Sequence, residues 1–165
     1  MTTEHTHWLL FAWVFGNQAG VPLPVVPALL GAGALAAGGH LQMATIIPLV
    51  VAASLAADLT WYGVGRRYGA WAMKFLGRFA PTARAVAPRT QRIFKARLPV
   101  FQLGVRFLPE LNAISAGMAG AVHASIGRFV AYAMVSALVW AGAWVGLGYL
   151  FGHALTATAG FLVSD

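Results

Sequence analysis

The chain has 165 residues, of which 59% are hydrophobic and 9% charged, with a mean hydropathy of +0.73. Soluble domains carry about a quarter of their residues as charges, so this composition describes an integral membrane protein of one domain. With no cysteine, a disulfide framework and a thiolate metal site are both excluded. The formal charge of +7 does not point to nucleic acid, because nine of the eleven Lys and Arg residues fall between positions 66 and 97, a polar loop between spans.

The chain opens with Met1-Thr2-Thr3-Glu4-His5-Thr6-His7, which lacks the positive start of a secretory signal and reads as a frayed, solvated terminus. From Glu4 to Asp58 there is no charge, a stretch far longer than the roughly 20 residues of one crossing. Pro22, Pro24 and Pro27 break it, and Gly31, Gly33, Gly38 and Gly39 break it again. The expectation is a re-entrant hairpin, shaped by Pro22, Pro24 and Gly33, that packs against another like it. Non-helical backbone at membrane depth is tolerated only under such cover. Residues 43–64 then form a span, with Pro48 in its first turns.

Over 69–79, Trp71, Phe75 and Phe79 recur every four residues with Lys74 and Arg78 off that stripe, the pattern of an interfacial amphipathic helix. Arg84, Arg89, Arg92, Lys95 and Arg97 complete a basic loop that the positive-inside rule places in the cytoplasm, where it can also touch anionic lipid heads.

The stretch 105–120 sets Arg106 and Glu110 beside Pro109 in an otherwise apolar run. An ionised group at membrane depth costs roughly 2.5 to 3.5 kcal/mol on insertion scales, so it pairs or faces a wet cavity. Pro109 disfavours helix before it and favours a helix start at it, while Gly117 and Gly120 loosen the helix beyond, giving a second broken hairpin shaped by Pro109 and Gly117. Residues 129–151 form a second span.

A shift of 83 residues superposes His40 on His123, Leu55 on Leu138, Trp61 on Trp144, and Gly63, Gly65 and Gly69 on Gly146, Gly148 and Gly152. The reading is two inverted repeats, each a re-entrant helical hairpin plus a transmembrane helix. Repeat 1 covers about 16–69, the basic amphipathic linker about 70–98, and repeat 2 about 99–152. Secondary transporters use this all-α architecture, with half-helix N-termini aimed at anionic groups.

Few polar groups are placed to do chemistry. Arg106 offers a planar fork matched to phosphate or carboxylate, or it locks the hairpin through Glu110 or Asp58. Glu110 is either a site carboxylate or a partner of the half-helix dipole. Asp58, in the first span, either carries a proton or bonds the facing backbone. Asn17 and Gln18 bond a substrate or, more simply, a broken backbone end. Arg66, with Arg67, snorkels to the headgroup interface. His40 and His123 read as interfacial, and Gly63-x-Gly65-x-x-x-Gly69 reads as close helix packing rather than a nucleotide loop. No nucleophile-base arrangement, cofactor motif or metal spacing is present in the sequence.

Arg106-Phe107-Leu108-Pro109, running into Ala116-Gly117-Met118, resembles the signature of the DedA family, bacterial VTT-domain (SNARE-associated-type) membrane proteins. Gly20-Val21-Pro22-Leu23-Pro24 with Ala32-Gly33-Ala34-Leu35-Ala36 resembles its first Pro-rich hairpin. Asp58-x-x-x-Tyr62-x-x-Gly65-Arg66-x-x-Gly69 and the region from Trp140 through Leu147-Gly148-Tyr149 resemble two further segments, so the likeness covers about 16–152. It implies a bacterial inner-membrane transporter without cofactor or enzymatic activity. The substrate implied is an anionic phosphate-bearing lipid, undecaprenyl phosphate or a phospholipid, flipped or scrambled across the bilayer with protons as the possible coupling ion and a homo-oligomer as the possible assembly. The implied substrate-binding set is Arg106, Glu110, Asn112, Asp58, Asn17 and Gln18. A proton-coupled small-solute carrier and a non-transporting scaffold or assembly factor remain alternatives. The chain departs from the pattern at Asn112, where the motif has a second arginine, and at Val26, Asn17 and Gln18, where the family's acidic residues stand.

Overall fold

The computed structural model describes residues 3–79, 104, 106 and 109–163. In chain order the helices are α1 (Thr3–Gln18), α2 (Val25–Ala37), α3 (Met43–Phe79), α4 (Pro109–Ala121) and α5 (Ile126–Val163). The protein is all-helical over this part. The expected frayed start is helical instead, from Thr3 onward, because the run His7-Trp8-Leu9-Leu10 continues directly into the apolar face that carries Leu10 and Val14 into the core.

Two helices are long and apolar enough to cross a membrane, Met43–Gly69 with 27 residues and Ile126–Ala157 with 32. By contrast α2 and α4 have 13 residues each. At 1.5 Å per residue such a helix is about 20 Å long, short of a hydrocarbon core of about 30 Å. Pro22 and Pro24 lie in the turn between α1 and α2, and Pro109 is the first residue of α4, where its missing N–H removes nothing. α3 bends at Gly69, whose φ of 40° and ψ of −106° are not helical, and helix resumes to Phe79. This agrees with a separate helix over 69–79. The direction its side chains face, and the basic loop after it, lie outside the described residues.

Three helices end alike. After α1, Gly20 adopts φ 101°, and the Val21 N–H donates back to the Gly16 carbonyl. After α2, Gly39 adopts φ 76° while His40 N–H donates to Leu35 and Gly39 N–H to Ala36. After α4 the same bonds run from Ala124 to Ala119 and from His123 to Gly120, with His123 at φ 52°. These are Schellman closures, in which a left-handed residue lets two amides satisfy the last carbonyls. They correct the repeat by one residue. The spans begin 83 residues apart, at Met43 and Ile126, but the short helices begin 84 apart, at Val25 and Pro109, because the connector after α2 is one residue longer. Gly39, not His40, is therefore the counterpart of His123.

Packing of the short helices differs from the expectation as well. They do not cover each other: α4 lies mainly on α3, and α2 mainly on α5. Gly33 and Gly117 do not bend a hairpin; both sit inside helices at points of close approach. A Cβ on Gly33 would stand 2.1 Å from the Val145 carbonyl oxygen and 2.7 Å from the Tyr149 nitrogen. One on Gly120 would meet Tyr62 and Arg66 at 2.0 and 2.8 Å. Gly148 faces Leu30 at 2.1 Å as Gly65 faces Gly117 at 1.9 Å. The two contacts on the spans are 83 residues apart in each case, and those on the short helices 87. Lipid tails leave no hydrophobic force between helices, so association depends on such close backbone contact.

Leu10, Val14, Leu29, Ile46, Val50, Trp140 and Val145 fill one core, and Tyr62, Ile114, Met118 and Phe129 a second, with the Tyr62 and Phe129 rings stacked at 4.8 Å. Outward the chain shows Trp8, Leu150, Phe151 and Leu155, each at least 66% exposed, a surface suited to hydrocarbon.

Substituting alanine at Gly65 or Gly148 forces backbone apart and is expected to lower stability by about 1 to 3 kcal/mol, the range for overpacking. Alanine at Gly63 or Gly146, where a Cβ meets nothing within 4 Å, is expected to be neutral. Thermal unfolding of the four variants in detergent checks this, and equal losses at all four positions would contradict the interlock.

Candidate functional site

The buried charges among the described residues are Asp58 and Arg106, each 2% exposed, and they form an ion pair between Arg106 Nη2 and Asp58 Oδ2. Around it, side chains converge from four helices. Arg106, three residues ahead of α4, also donates from Nε to Ser136 Oγ on α5 at 3.1 Å. Asn112, on the first turn of α4, gives one hydrogen of its amide to Asp58 Oδ1 and the other to Gln18 Oε1 of α1, both at 2.8 Å. Each carboxylate oxygen of Asp58 is thus met by a donor.

The local sequence explains how these groups arrive at one place. Pro109 starts α4 and keeps Arg106 out of a regular helix, so its side chain reaches across toward α3 and α5. The Schellman end of α1 stops that helix just after Gln18, which leaves Gln18 at its buried C-terminus. Neighbouring Asn17 does what a broken backbone requires: its Nδ2 donates to the Leu23 carbonyl at 2.7 Å, holding the turn into α2. Trp61 Nε1 supports the same turn through Ala19 O at 3.1 Å.

Several buried polar atoms have no hydrogen-bond partner among the described residues: Arg106 Nη1, Gln18 Nε2, Asn17 Oδ1, Ser54 Oγ and Ser115 Oγ. Native interiors leave few such groups, and each one calls for an explanation. Ser54 precedes Asp58 by four residues on α3 and Ser115 comes three after Asn112 on α4, so each shares its neighbour's helix face. That spacing was the sequence signal for both serines. Ser136 had none, since one hydroxyl in an apolar helix ordinarily bonds its own backbone.

Of the residues singled out from sequence, Arg106, Asp58, Asn112 and Gln18 come together, and Asn17 serves the adjoining turn. Of the two carboxylates considered as partners of Arg106, Asp58 is in contact; the Glu110 side chain lies outside the described residues. Arg66 and Arg67 lie exposed at the end of the first span, away from the cluster. Arg66 Nη1 donates to the Tyr62 hydroxyl at 3.0 Å, which donates to the Ala124 carbonyl at 2.6 Å, and Arg67 stands 6.0 Å from the Tyr68 ring. Among the described residues no three His, Cys, Asp or Glu side chains are grouped to hold a metal ion.

No family model matches the chain. No solved structure matches it. Among curated proteins it is 32% identical over 158 residues to the uncharacterized membrane protein Rv2637 of Mycobacterium tuberculosis, covering 89% of this chain and 70% of the relative. It is 26% identical over 164 residues to Protein DedA of Escherichia coli, covering 92% and 73%. The chain belongs to the DedA family. A third relative is the uncharacterized membrane protein slr0232 of Synechocystis, 26% identical over 162 residues with 94% and 72% covered. As a DedA-family chain it is a membrane protein, in keeping with its two long apolar helices. Gln18 and Asn112 are in direct contact as a neutral amide pair.

Proposed function

We propose that this DedA-family protein moves a phosphate-bearing lipid, undecaprenyl phosphate or a phospholipid, across the bacterial inner membrane. In this reading α1 with α2, and the stretch before α4 with α4, are re-entrant hairpins in two inverted halves, and the basic segment 74–97 is cytoplasmic. The observation that carries it is Arg106 Nη1, a cationic donor buried where four helices meet and without a partner among the described residues. A guanidinium binds phosphate through charge-assisted N–H bonds, and this one has Nη1 left to do so. The nearby start of α4 adds backbone donors and a positive dipole end. The contact with Asp58 favours a second reading, a latch that holds the helices of a membrane scaffold without transport. The proton-coupled solute carrier keeps only Asp58 as a candidate proton site within the described core, since amides occupy the other positions.

The charge-keeping change Arg106→Lys separates grip from latch. Lysine can still neutralise Asp58 but lacks the fork, so lipid movement in reconstituted vesicles is expected to fall about tenfold or more with thermal stability nearly unchanged. Full movement by Arg106→Lys would overturn the phosphate grip and leave Arg106 a structural partner of Asp58, whereas no lipid movement by the natural protein would leave the scaffold as the better account. For the topology, a cysteine at Thr82 is expected to be labelled only from the cytoplasmic side, and labelling only from outside would reverse the orientation.

A further inference from the structure

The arginines at the end of the first span share that place with a third. Tyr62 of α3 stacks on Phe129 of α5 with ring centroids 4.8 Å apart, so the last turns of the first span lie beside the first turn of α5. Arg66 is tied to this junction: its Nη1 donates to the Tyr62 hydroxyl at 3.0 Å, and that hydroxyl donates to the Ala124 carbonyl at 2.6 Å, in the connector ahead of α5. Arg128 stands one turn beyond Ala124, as the third residue of α5. Arg66, Arg67 and Arg128 are all exposed and form a cationic rim at one end of the helices. Beside them Tyr68 and Ile126 expose 53% and 55% of their surface.

Among the described residues no acid offsets this charge. Asp58 is buried and held by Arg106. Glu110 is at the start of α4, roughly 17 Å of helix away from Ala121 at its end. The first turn of α5 contains no acid either, although Arg128 sits where the free N–H groups and the dipole of a helix already make the potential positive. A cation at that place calls for an anion, and the anion has to come from outside.

The repeat provides an internal comparison. The 83-residue shift carries Tyr62 to Val145, Arg66 to Tyr149 and Arg67 to Leu150, and it carries Arg128 back to Thr45. Gly65 and Gly148, related by the same shift, both make close backbone contact. Close packing at the corresponding end is thus reached without any of these charges, and the arginines serve something other than packing.

We propose that this rim binds the phosphate of an anionic phospholipid from the leaflet in which the first span ends, as a resident lipid that bridges α3 and α5. The phosphate lies on Arg66 and Arg128 with Arg67 alongside, and the acyl chains run along the apolar surface past Ile126. Two observations favour a lipid over a free anion: the cations adjoin exposed apolar side chains, and they stand at the end of a span, where anionic headgroups attract basic residues. The site is separate from the buried cluster around Asp58 and does not depend on what the protein transports.

The test titrates the full chain, purified in detergent, with short-chain phosphatidylglycerol and with phosphatidylcholine of the same chain length. Retention is read by native mass spectrometry and stability by thermal unfolding. The expected result is that phosphatidylglycerol binds about tenfold tighter and raises the unfolding temperature. Arg66→Gln combined with Arg128→Gln is expected to abolish the preference. Arg128→Gln alone leaves the Arg66–Tyr62–Ala124 bonds in place and is expected to lower the preference about threefold, whereas Arg128→Lys keeps most of it. Equal affinity for the two lipids in the natural protein overturns the proposal, as does an unchanged preference in Arg128→Gln. Phosphatidylglycerol that binds without raising the unfolding temperature overturns the bridging role. Free glycerol 3-phosphate binding as tightly as phosphatidylglycerol overturns the lipid as occupant.

Discussion

A guanidinium held 2% exposed inside a membrane protein has to be compensated where it stands, and the compensation of Arg106 comes from elements far apart in the chain. Asp58 is 48 residues away on the first span and Ser136 is 30 away on the second. Asn112 then ties the same carboxylate to Gln18, 94 residues distant. Satisfying one charge thus fixes where α1, α3, α4 and α5 meet. The helix breaks at Gly20 and Pro109 make this possible, because a regular helix could not leave Gln18 at a buried C-terminus or free Arg106 ahead of α4.

Glycine makes the meeting geometrically possible. In hydrocarbon, helices gain little from hiding apolar surface and rely on close packing instead. Gly65 and Gly120 let α3 and α4 approach backbone to backbone, and Gly33, Gly148 and Gly152 do the same for α2 and α5. Each tight pair joins a short helix to a long one. The polar cluster links the pairs through Arg106 and Ser136, and Asn112 ties α4 to Gln18 on α1. Backbone packing thus holds each pair together, and side-chain hydrogen bonds tie the polar interior.

The sequence made Arg106 and Asp58 visible because a charge in an apolar run has few innocent explanations. It left open which carboxylate Arg106 meets, since pairing across 48 residues depends on how the helices pack. Gly33 and Gly117 were misread because the residue that breaks a helix is also the one that allows close approach, and only a neighbouring backbone tells the two apart. The 83-residue spacing of Gly65 and Gly148 was visible in the sequence, and both make close backbone contact, whereas the 84-residue offset of the short helices' starts was hidden by the longer connector after α2. Ser136 escaped notice because a lone serine is ordinary in a helix, and Ser54 and Ser115 carried no signal beyond their spacing from Asp58 and Asn112. Their significance lies in burial, which composition does not report.

The central claim is that Asp58 and Arg106 compensate each other inside the fold, and a double-mutant cycle measures it most directly. Thermal unfolding in detergent would be monitored for Asp58→Asn, Arg106→Gln and the two together. Breaking a buried pair costs about 3 to 5 kcal/mol in soluble proteins because the surviving charge is stranded. The account predicts that each single change is strongly destabilising and that the double mutant loses much less than the sum of the two. Additive losses, or single variants as stable as the natural protein, would contradict it.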